Sequence, residues 1–307
     1  MKNSSNIKPY FAAIIFAFII GLSFLFVKMA LSVADPLTVL AHRFTIAFLF
    51  LFLASLLGLV KVTLSAKDVL FILPISLFYP TCFFAFQVFG LVYISSSEAG
   101  IIQAIIPVFT MILASLFLKE TTSPLQKIAL SLSVLGVIYI FFMQGISWKS
   151  ANFIGIVLII FSALSSACYN VMARKITKKY RLIDITYVMT TIGFISFNIL
   201  SLADHLMKNT LAAYFSPFIN TTFVVSILYL GILSSLLTSL LSNYILSKIT
   251  ASKMSVFSNL ATLITVIAGS VFLHEQIEYY HIIGATMIIL GIIGINFWDR
   301  KLAINNN

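Results

Sequence analysis

Charged side chains are scarce in this chain, and their scarcity excludes a water-soluble protein. Asp, Glu, Lys and Arg make up only 9% of its 307 residues, whereas a soluble domain carries about 25%. The mean hydropathy is +1.09, and no stretch has the polar surface that a soluble domain needs. We therefore predict that the lipid bilayer surrounds most of the side chains.

Cysteines and nucleotide-binding sequences are also lacking. The two cysteines, Cys82 and Cys168, lie inside apolar runs and indicate neither a disulfide framework nor a metal site. There is no Walker-type Gly-rich loop and no cytoplasmic domain that could bind ATP, which excludes a primary pump working alone. The net charge of +10 does not indicate nucleic-acid binding, because the basic residues are spread over short loops. We predict no catalytic residue, metal or cofactor.

Long apolar runs dominate what is present. A membrane-spanning helix needs about 20 mostly apolar residues, and the chain has ten candidate runs. The predicted spans are residues 9–32, 37–60, 69–92, 99–118, 125–144, 153–173, 182–203, 221–247, 253–273 and 279–298. These runs are continuously apolar and do not alternate as the strands of a membrane barrel do. The sequence therefore predicts an all-α membrane protein with ten transmembrane helices.

The distribution of Lys and Arg predicts the orientation of these spans. Cytoplasmic loops are enriched in both residues. With the N-terminus inside, fifteen of them fall in inside segments and three in outside segments, and Arg43 remains within the second span. A missed or extra span would scramble this alternation. We therefore predict a multi-pass protein of the cytoplasmic membrane with both termini cytoplasmic.

The two halves of the sequence resemble each other. The fourth span closes with Phe117-Leu118-Lys119-Glu120 and the ninth with Phe272-Leu273-His274-Glu275, at an offset of 155 residues. We interpret Glu120 and Glu275 as helix-end residues. Each half has five spans, an odd number, so the second half must enter the membrane in the opposite orientation. The prediction is two inverted five-helix repeats, residues 9–144 and 153–298, a plan that recurs in secondary transporters with the substrate near the midplane.

Three sequence blocks follow one another in a fixed order along the chain. They are residues 21–28 followed by Asp35-Pro36 and His42-Arg43-Phe44, then residues 95–99 leading to Pro107-Val108-Phe109, then Thr250-Ala251-Ser252 leading to Leu273-His274-Glu275. In order and spacing these blocks resemble the EamA-type members of the drug/metabolite transporter superfamily. The resemblance implies a ten-helix carrier of small metabolites, often amino acids or their analogues, whose direction of transport is often outward.

Two positions depart from the pattern of that family. Ser23 or Phe24 stands where a tryptophan is usual, and Thr262 stands where the second half commonly has a proline. We expect these departures to alter the substrate cavity and to leave the fold intact.

Arg43 is the one charge well inside a predicted span. It lies about six residues into the second span, roughly 9 Å below the outer end at about 1.5 Å per residue. A charge at that depth is costly and usually faces the protein interior or a water-filled cavity. Arg43 could anchor a substrate carboxylate or act as a gate charge. It could also snorkel to the outer surface and pair there with Asp35 or Glu98. His42 beside it could be a proton site or a neutral, hydrogen-bonded histidine.

Polar side chains inside other spans are further candidates, because lipid offers them no hydrogen-bond partners and they should face helices or a cavity. Any one of them could equally hold two helices together. The candidate substrate-binding or pathway residues are Ser23, His42, Arg43, Tyr79, Gln87, Gln103, Tyr169, Asn170, Asn243 and Asn259. Pro74, Pro80 and Pro107 are candidate hinges for alternating access, or static kinks.

No Asp or Glu lies in the middle of a predicted span, which favours facilitated diffusion, exchange or coupling through His42. The sequence thus favours a secondary transporter whose partners are a small-molecule substrate and the bilayer, working as a monomer or homodimer. Two alternatives stay open: a receptor or assembly subunit that transports nothing, and a membrane-embedded enzyme. The scattered positions of the four histidines disfavour the enzyme.

Overall fold

A computed structural model describes residues 7–119, 124–143 and 151–305. Glu120 and residue 144, the last residue of the first predicted repeat, lie outside these ranges. The described secondary structure is helical, in ten long segments and two short 3-10 helices, Leu211–Ala213 and Ser216–Ile219. The long segments are α1 Ile7–Leu31, α2 Pro36–Leu56, α3 Ala66–Tyr93, α4 Ser96–Leu118, α5 Pro124–Met143, α6 Ala151–Ile176, α7 Leu182–Met207, α8 Thr221–Lys248, α9 Ala251–Phe272 and α10 Tyr279–Asn305.

Eight of these segments are long and apolar enough to cross a membrane. The other two, α5 and α10, occupy the fifth and tenth predicted spans. Two predicted boundaries are wrong. The second span was predicted to run to residue 60, but α2 ends at Leu56 and the chain folds back through Gly58, whose φ is +71°. The fourth span was predicted to begin at residue 99, but residues 96–98 form the first turn of α4.

Short side chains begin the helices that follow tight turns. Asp35 precedes α2 and accepts hydrogen bonds from the backbone N–H groups of Leu37 at 3.0 Å and Thr38 at 3.1 Å. Burial raises the pKa of Asp35, but the hydrogen bonds from Thr38 outweigh it, so that pKa lies below its ordinary value. Ser95 and Thr250 cap α4 and α9 in the same way, each after an extended isoleucine.

Two spans are interrupted near their middles. In α3, Tyr79 has non-helical angles (φ −141°, ψ 118°) inside a π-helical segment, Leu77–Cys82. In α8 a π-helical segment covers Tyr229–Leu237. At the offset of 155, Tyr79 corresponds to Ser234 within that segment. Among the prolines proposed as hinges, Pro80 lies in the first interruption, Pro74 lies inside regular helix, and Pro107 begins the second part of α4 after a break at residues 104–105.

The contacts between helices are the same in the two halves. Each helix has a counterpart five helices further along the chain, and when two helices pack together their counterparts do so as well. α1 packs along α9 and α4 along α6; α3 packs along α6 and α1 along α8; α2 packs along α8 and α3 along α7. In the pairs α2–α7, α4–α9 and α5–α10, the two helices that pack together are each other's counterparts. Lys119 and His274, which match at the offset of 155, both adopt left-handed backbone conformations, with φ of 57° and 53°.

Glu275 ties the two halves together at one end of the bundle. Its carboxylate accepts hydrogen bonds from the backbone N–H groups of Ser96 (2.8 Å) and Ser97 (2.9 Å) and from both serine hydroxyls (2.9 and 2.6 Å). A carboxylate is favourable there because the N-terminus of α4 carries unpaired N–H groups. We name this end of the bundle, which also holds Asp35, the Asp35 end. The opposite end, with Tyr10, Arg174 and Lys248, is the Arg174 end.

We expect Glu275→Gln to lower the thermal stability of the purified protein, because the neutral amide replaces an ionised acceptor of four hydrogen bonds. Hydrogen bonds to charged groups contribute about 1.5–3 kcal/mol each to stability, so we expect a fall in melting temperature of several degrees. Glu278→Gln is the matched control, since Glu278 is exposed. Equal melting temperatures for the two variants would contradict a stabilising role for Glu275.

Candidate functional site

A narrow cavity lies in the centre of the bundle, between helices of both halves. The centre of a water-sized sphere can move through about 30 Å³ of it, which is room for about two waters at roughly 10–15 Å³ each. A metabolite could enter only after the helices move apart. The lining residues are Phe16, Ile20, Phe24, Tyr79, Phe83, Gly100, Gln103, Ile106, Ser166, Tyr169, Asn170, Ser242, Met254, Ser258, Ala261, Thr262 and Thr265.

Four of the residues proposed from the sequence line this cavity: Tyr79, Gln103, Tyr169 and Asn170. The Gln103 amide donates to the Ser162 hydroxyl at 3.0 Å, and that hydroxyl donates to the backbone oxygen of Phe83 at 2.9 Å. The amide is therefore fixed by helices α3 and α6. Of the two departures from the family pattern, Phe24 and Thr262 line the cavity, whereas Ser23 bonds to the Ile20 carbonyl behind it.

Tyr169 links the cavity to α8. Its hydroxyl donates to the side-chain amide oxygen, Oδ1, of Asn243 at 3.0 Å and lies 2.9 Å from the Ser242 hydroxyl. The Asn243 amide then donates to Thr186 at 3.1 Å, so Asn243 supports the cavity wall from outside the lining. The Tyr169 ring stacks on Tyr79, with ring centroids 4.7 Å apart. The two tyrosines therefore form one face that joins α3, α6 and α8.

Arg43 is fully buried, and it does not snorkel. Its Nε donates to the Ser235 hydroxyl at 2.7 Å, and its Nη2 donates to the Ser234 hydroxyl at 2.9 Å and carbonyl at 3.3 Å. The guanidinium lies over the Phe84 ring at 3.8 Å from the centroid. The suggested pairing with Asp35 or Glu98 is wrong, because serines and an aromatic ring of the bundle interior surround the charge.

Because Gly231 has no side chain, the backbone of α8 lies close to α2. This places Ser234 and Ser235 against Arg43. A Cβ at Gly231 would lie 2.9 Å from the Arg43 carbonyl oxygen and 2.8 Å from the Ile46 Cβ, closer than real Cβ contacts. The π-helical segment of α8 turns two successive serines, Ser234 and Ser235, toward the same guanidinium. Local irregularity of α8 therefore forms the binding site for Arg43.

Sequence reasoning missed a stripe of buried hydroxyl and amide groups along α8. We name it the α8 polar stripe, and its members are Ser234, Ser235, Thr238, Ser239, Ser242 and Asn243. They recur at intervals of about four residues, so they share one helix face. This period was visible in the sequence, but single serines and threonines in apolar helices are common and gave no signal one by one. The stripe runs from Arg43 to the cavity residue Ser242.

His42 lies away from the cavity. Its Nε2 is 2.9 Å from the Tyr214 carbonyl oxygen, so Nε2 carries the proton that is donated. Rings of Tyr214, Phe215, Phe218 and Phe223 surround it. These contacts favour the hydrogen-bonded, structural interpretation of His42 over a proton site.

Gln87 and Asn259 are buried outside the cavity lining. Neither side-chain amide has a hydrogen-bond partner within the part of the chain that the structure describes. Among the described residues there is also no group of three His, Cys, Asp or Glu side chains that could hold a metal ion. The chemistry concentrated at the centre is therefore that of hydroxyls, amides, aromatic rings and one guanidinium.

Comparison with known proteins gives consistent matches over the whole chain. The model of the EamA-like transporter family matches it twice, at residues 7–142 and 153–297. The uncharacterized transporter YcxC of Bacillus subtilis is 53% identical over 296 residues, covering 96% of this chain and 95% of that protein. An uncharacterized transporter of Archaeoglobus fulgidus is 27% identical over 279 residues, covering 89% and 92%. One crystal structure superimposes with a TM-score of 0.63 over 93% of this chain and 98% of its own, at 16% identity, and so shares the fold.

We expect Ser235→Ala to destabilise the protein, because it leaves the buried Arg43 Nε without its hydrogen-bond acceptor. An unpaired buried donor costs about 1–3 kcal/mol, and more when it is charged. Ser226→Ala is the matched control on the same helix, because the buried Ser226 hydroxyl has no partner among the described residues. Thermal unfolding in detergent measures both. A melting temperature that falls equally in the two variants would mean that Ser235 does not stabilise the guanidinium.

Proposed function

Because the chain belongs to the EamA-like transporter family, we propose that it is a secondary transporter of a small amphipathic metabolite, working by alternating access. The protein is an integral, multi-pass protein of the plasma membrane. The observation that carries the proposal is the central cavity, to which α1, α3 and α4 contribute from one half and α6, α8 and α9 from the other. A cavity shared by two halves can open to either side when the halves tilt.

The two halves are proposed to be inverted five-helix repeats, residues 9–144 and 153–298, with ten spans and cytoplasmic termini. Three observations support this arrangement. The packing pattern is unchanged when the halves are exchanged, the left-handed residues Lys119 and His274 match at one offset, and the interruptions of α3 and α8 overlap at the same offset. The excess of Lys and Arg at one face supports the orientation.

Contacts between the halves at each end are the proposed gates. At the Asp35 end, which the charge distribution assigns to the outside, Glu275 holds Ser96 and Ser97. At the Arg174 end, Lys175 of the second half donates to the Phe117 carbonyl oxygen of the first half at 3.1 Å. Breaking the contacts between the halves at one end, while keeping those at the other end, would open the cavity to a single side. The interruptions at Tyr79 and Ser234 are the proposed bending points.

The cavity walls support an amphipathic substrate. Phe16, Phe24 and Phe83 supply apolar surface, while Gln103, Asn170 and hydroxyl groups supply hydrogen bonds. Such a combination of apolar wall and few polar groups is typical of small-molecule sites. Amino acids or related compounds, moved outward, are the class and direction that the resemblance of the sequence implies.

Reconstitution into liposomes tests the proposal. We expect saturable uptake of one class from a panel of labelled amino acids, nucleosides and sugars, and comparison with and without a pH gradient determines whether protons are coupled. Absence of uptake by folded protein would favour the receptor or assembly-subunit alternative.

We further expect Ser258→Phe to abolish that uptake, because the added ring fills a cavity with room for about two waters. The control is Ser131→Phe, the same change at an exposed position of α5, which should leave both uptake and the melting temperature near those of the unmodified protein. Normal uptake by the Ser258→Phe variant would mean that the substrate does not pass through this cavity.

A further inference from the structure

The positive charge of Arg43 has no counter-ion in the described structure, although it lies in the interior of a membrane-spanning bundle. No carboxylate of the residues described lies within 4.0 Å of the guanidinium. Its third nitrogen, Nη1, is buried and has no hydrogen-bond partner among the described residues. Buried charges in proteins are paired, hydrogen-bonded or functional. Ser234, Ser235 and the face of Phe84 stabilise the charge in part, and the two N–H groups of Nη1 stay open.

A second open donor lies beside it, on the cavity wall. Tyr79 lines the cavity, and its buried hydroxyl makes no hydrogen bond of good geometry to any described residue, although Thr238 and Ser239 lie near it. Tyr79 also packs against Phe84, with ring centroids 5.1 Å apart, and Phe84 stacks on Arg43. Tyr79 is therefore the layer between the guanidinium and the cavity.

The α8 polar stripe connects the two open donors to the cavity. Its first members hold Arg43, its middle members lie near Tyr79, and its last members hold Tyr169. The Thr238 hydroxyl donates to the Ser234 carbonyl oxygen at 2.6 Å, whereas the hydroxyl groups of Ser235, Ser239 and Ser242 can donate to an anion. The residues that line the cavity include no Asp or Glu, so an ammonium group would find only uncharged partners there.

We propose that Arg43, Tyr79 and the α8 polar stripe form an anion subsite, and that the transported metabolite is a small carboxylate with an apolar or aromatic body. The proposal rests on the proposed transport function and narrows its substrate. The carboxylate would accept from the Arg43 Nη1 and the Tyr79 hydroxyl, and the apolar body would lie against the phenylalanines of the cavity. Net anions would bind better than zwitterions, and cations least.

Four probes with the same ring and a two-carbon chain test this charge preference: 3-phenylpropionate, L-phenylalanine, 3-phenylpropanamide and 2-phenylethylamine. Thermal shifts of the purified protein and uptake into liposomes are measured for each. We expect the acid to act at a concentration at least about tenfold lower than its amide, and the amine to have no effect. We expect Arg43→Gln to abolish the preference for the acid over the amide, and Arg43→Lys to retain part of it. The matched control is Arg181→Gln, at an exposed arginine outside the cavity, which should keep the full preference.

A measurement without ligand keeps the proposal testable if these probes are too weak. A buried arginine whose role is to bind an anion lowers the stability of the protein when no anion is bound. We therefore expect the Arg43→Met variant to melt at the same temperature as the unmodified protein or at a higher one. A structural brace predicts a fall of several degrees, and that fall would overturn the proposal. Equal binding of acid and amide, or a preference that survives Arg43→Gln, would overturn it as well. An Arg43-dependent thermal shift without uptake would support the subsite and contradict transport.

Discussion

A helix that crosses hydrocarbon has no water to satisfy the polar groups that it leaves open. The irregular segments of α3 and α8 therefore need partners, from another helix or from side chains of their own helix. The serines at the π-helical segment of α8 bind Arg43 of α2, and Gly231 permits the close approach of these helices. The hydroxyl of Thr81, beside the interruption of α3, donates to the Ser76 carbonyl oxygen at 3.0 Å. Position in the bundle and polar chemistry are thus determined by the same contacts.

The proposed repeats share a backbone plan but differ in chemistry at the cavity. Counterpart positions at the offset of 155 carry aromatic residues in α3 and hydroxyl residues in α8: Tyr79 and Ser234, Phe83 and Thr238, Phe84 and Ser239. At these positions one half therefore contributes aromatic rings and the other contributes hydroxyl groups. Equivalent helices that bend at equivalent places can serve opposite ends of an amphipathic molecule, because the bend depends on the backbone and the binding on the side chains.

The sequence predicted what depends on local pattern. Apolar runs marked the ten long helical segments that the structure describes, and the depth of Arg43 in the second span marked it as an unusual charge, either interior or snorkelling. The partners of Arg43 could not be read in this way, because Ser234 and Ser235 lie more than 190 residues away along the chain. For the same reason Asn243 was proposed as a lining residue, whereas it supports Tyr169 from behind. The capping of α4 by Glu275, 178 and 179 residues away from the two serines, is a contact between distant segments that only the folded structure brings together.

The unneutralised charge of Arg43 has an electrical consequence for the cell. A carrier that binds a monovalent anion next to this guanidinium is neutral at its core when loaded and positive when empty. The membrane potential would then act on the return of the empty carrier, with an energy of about 2.3 kcal/mol for a full charge moved through 100 mV and proportionally less for a partial displacement. The resting voltage of the cell would thereby determine which side of the membrane the cavity of the empty carrier faces. This would hold although the cavity lining has no carboxylate for a coupling ion.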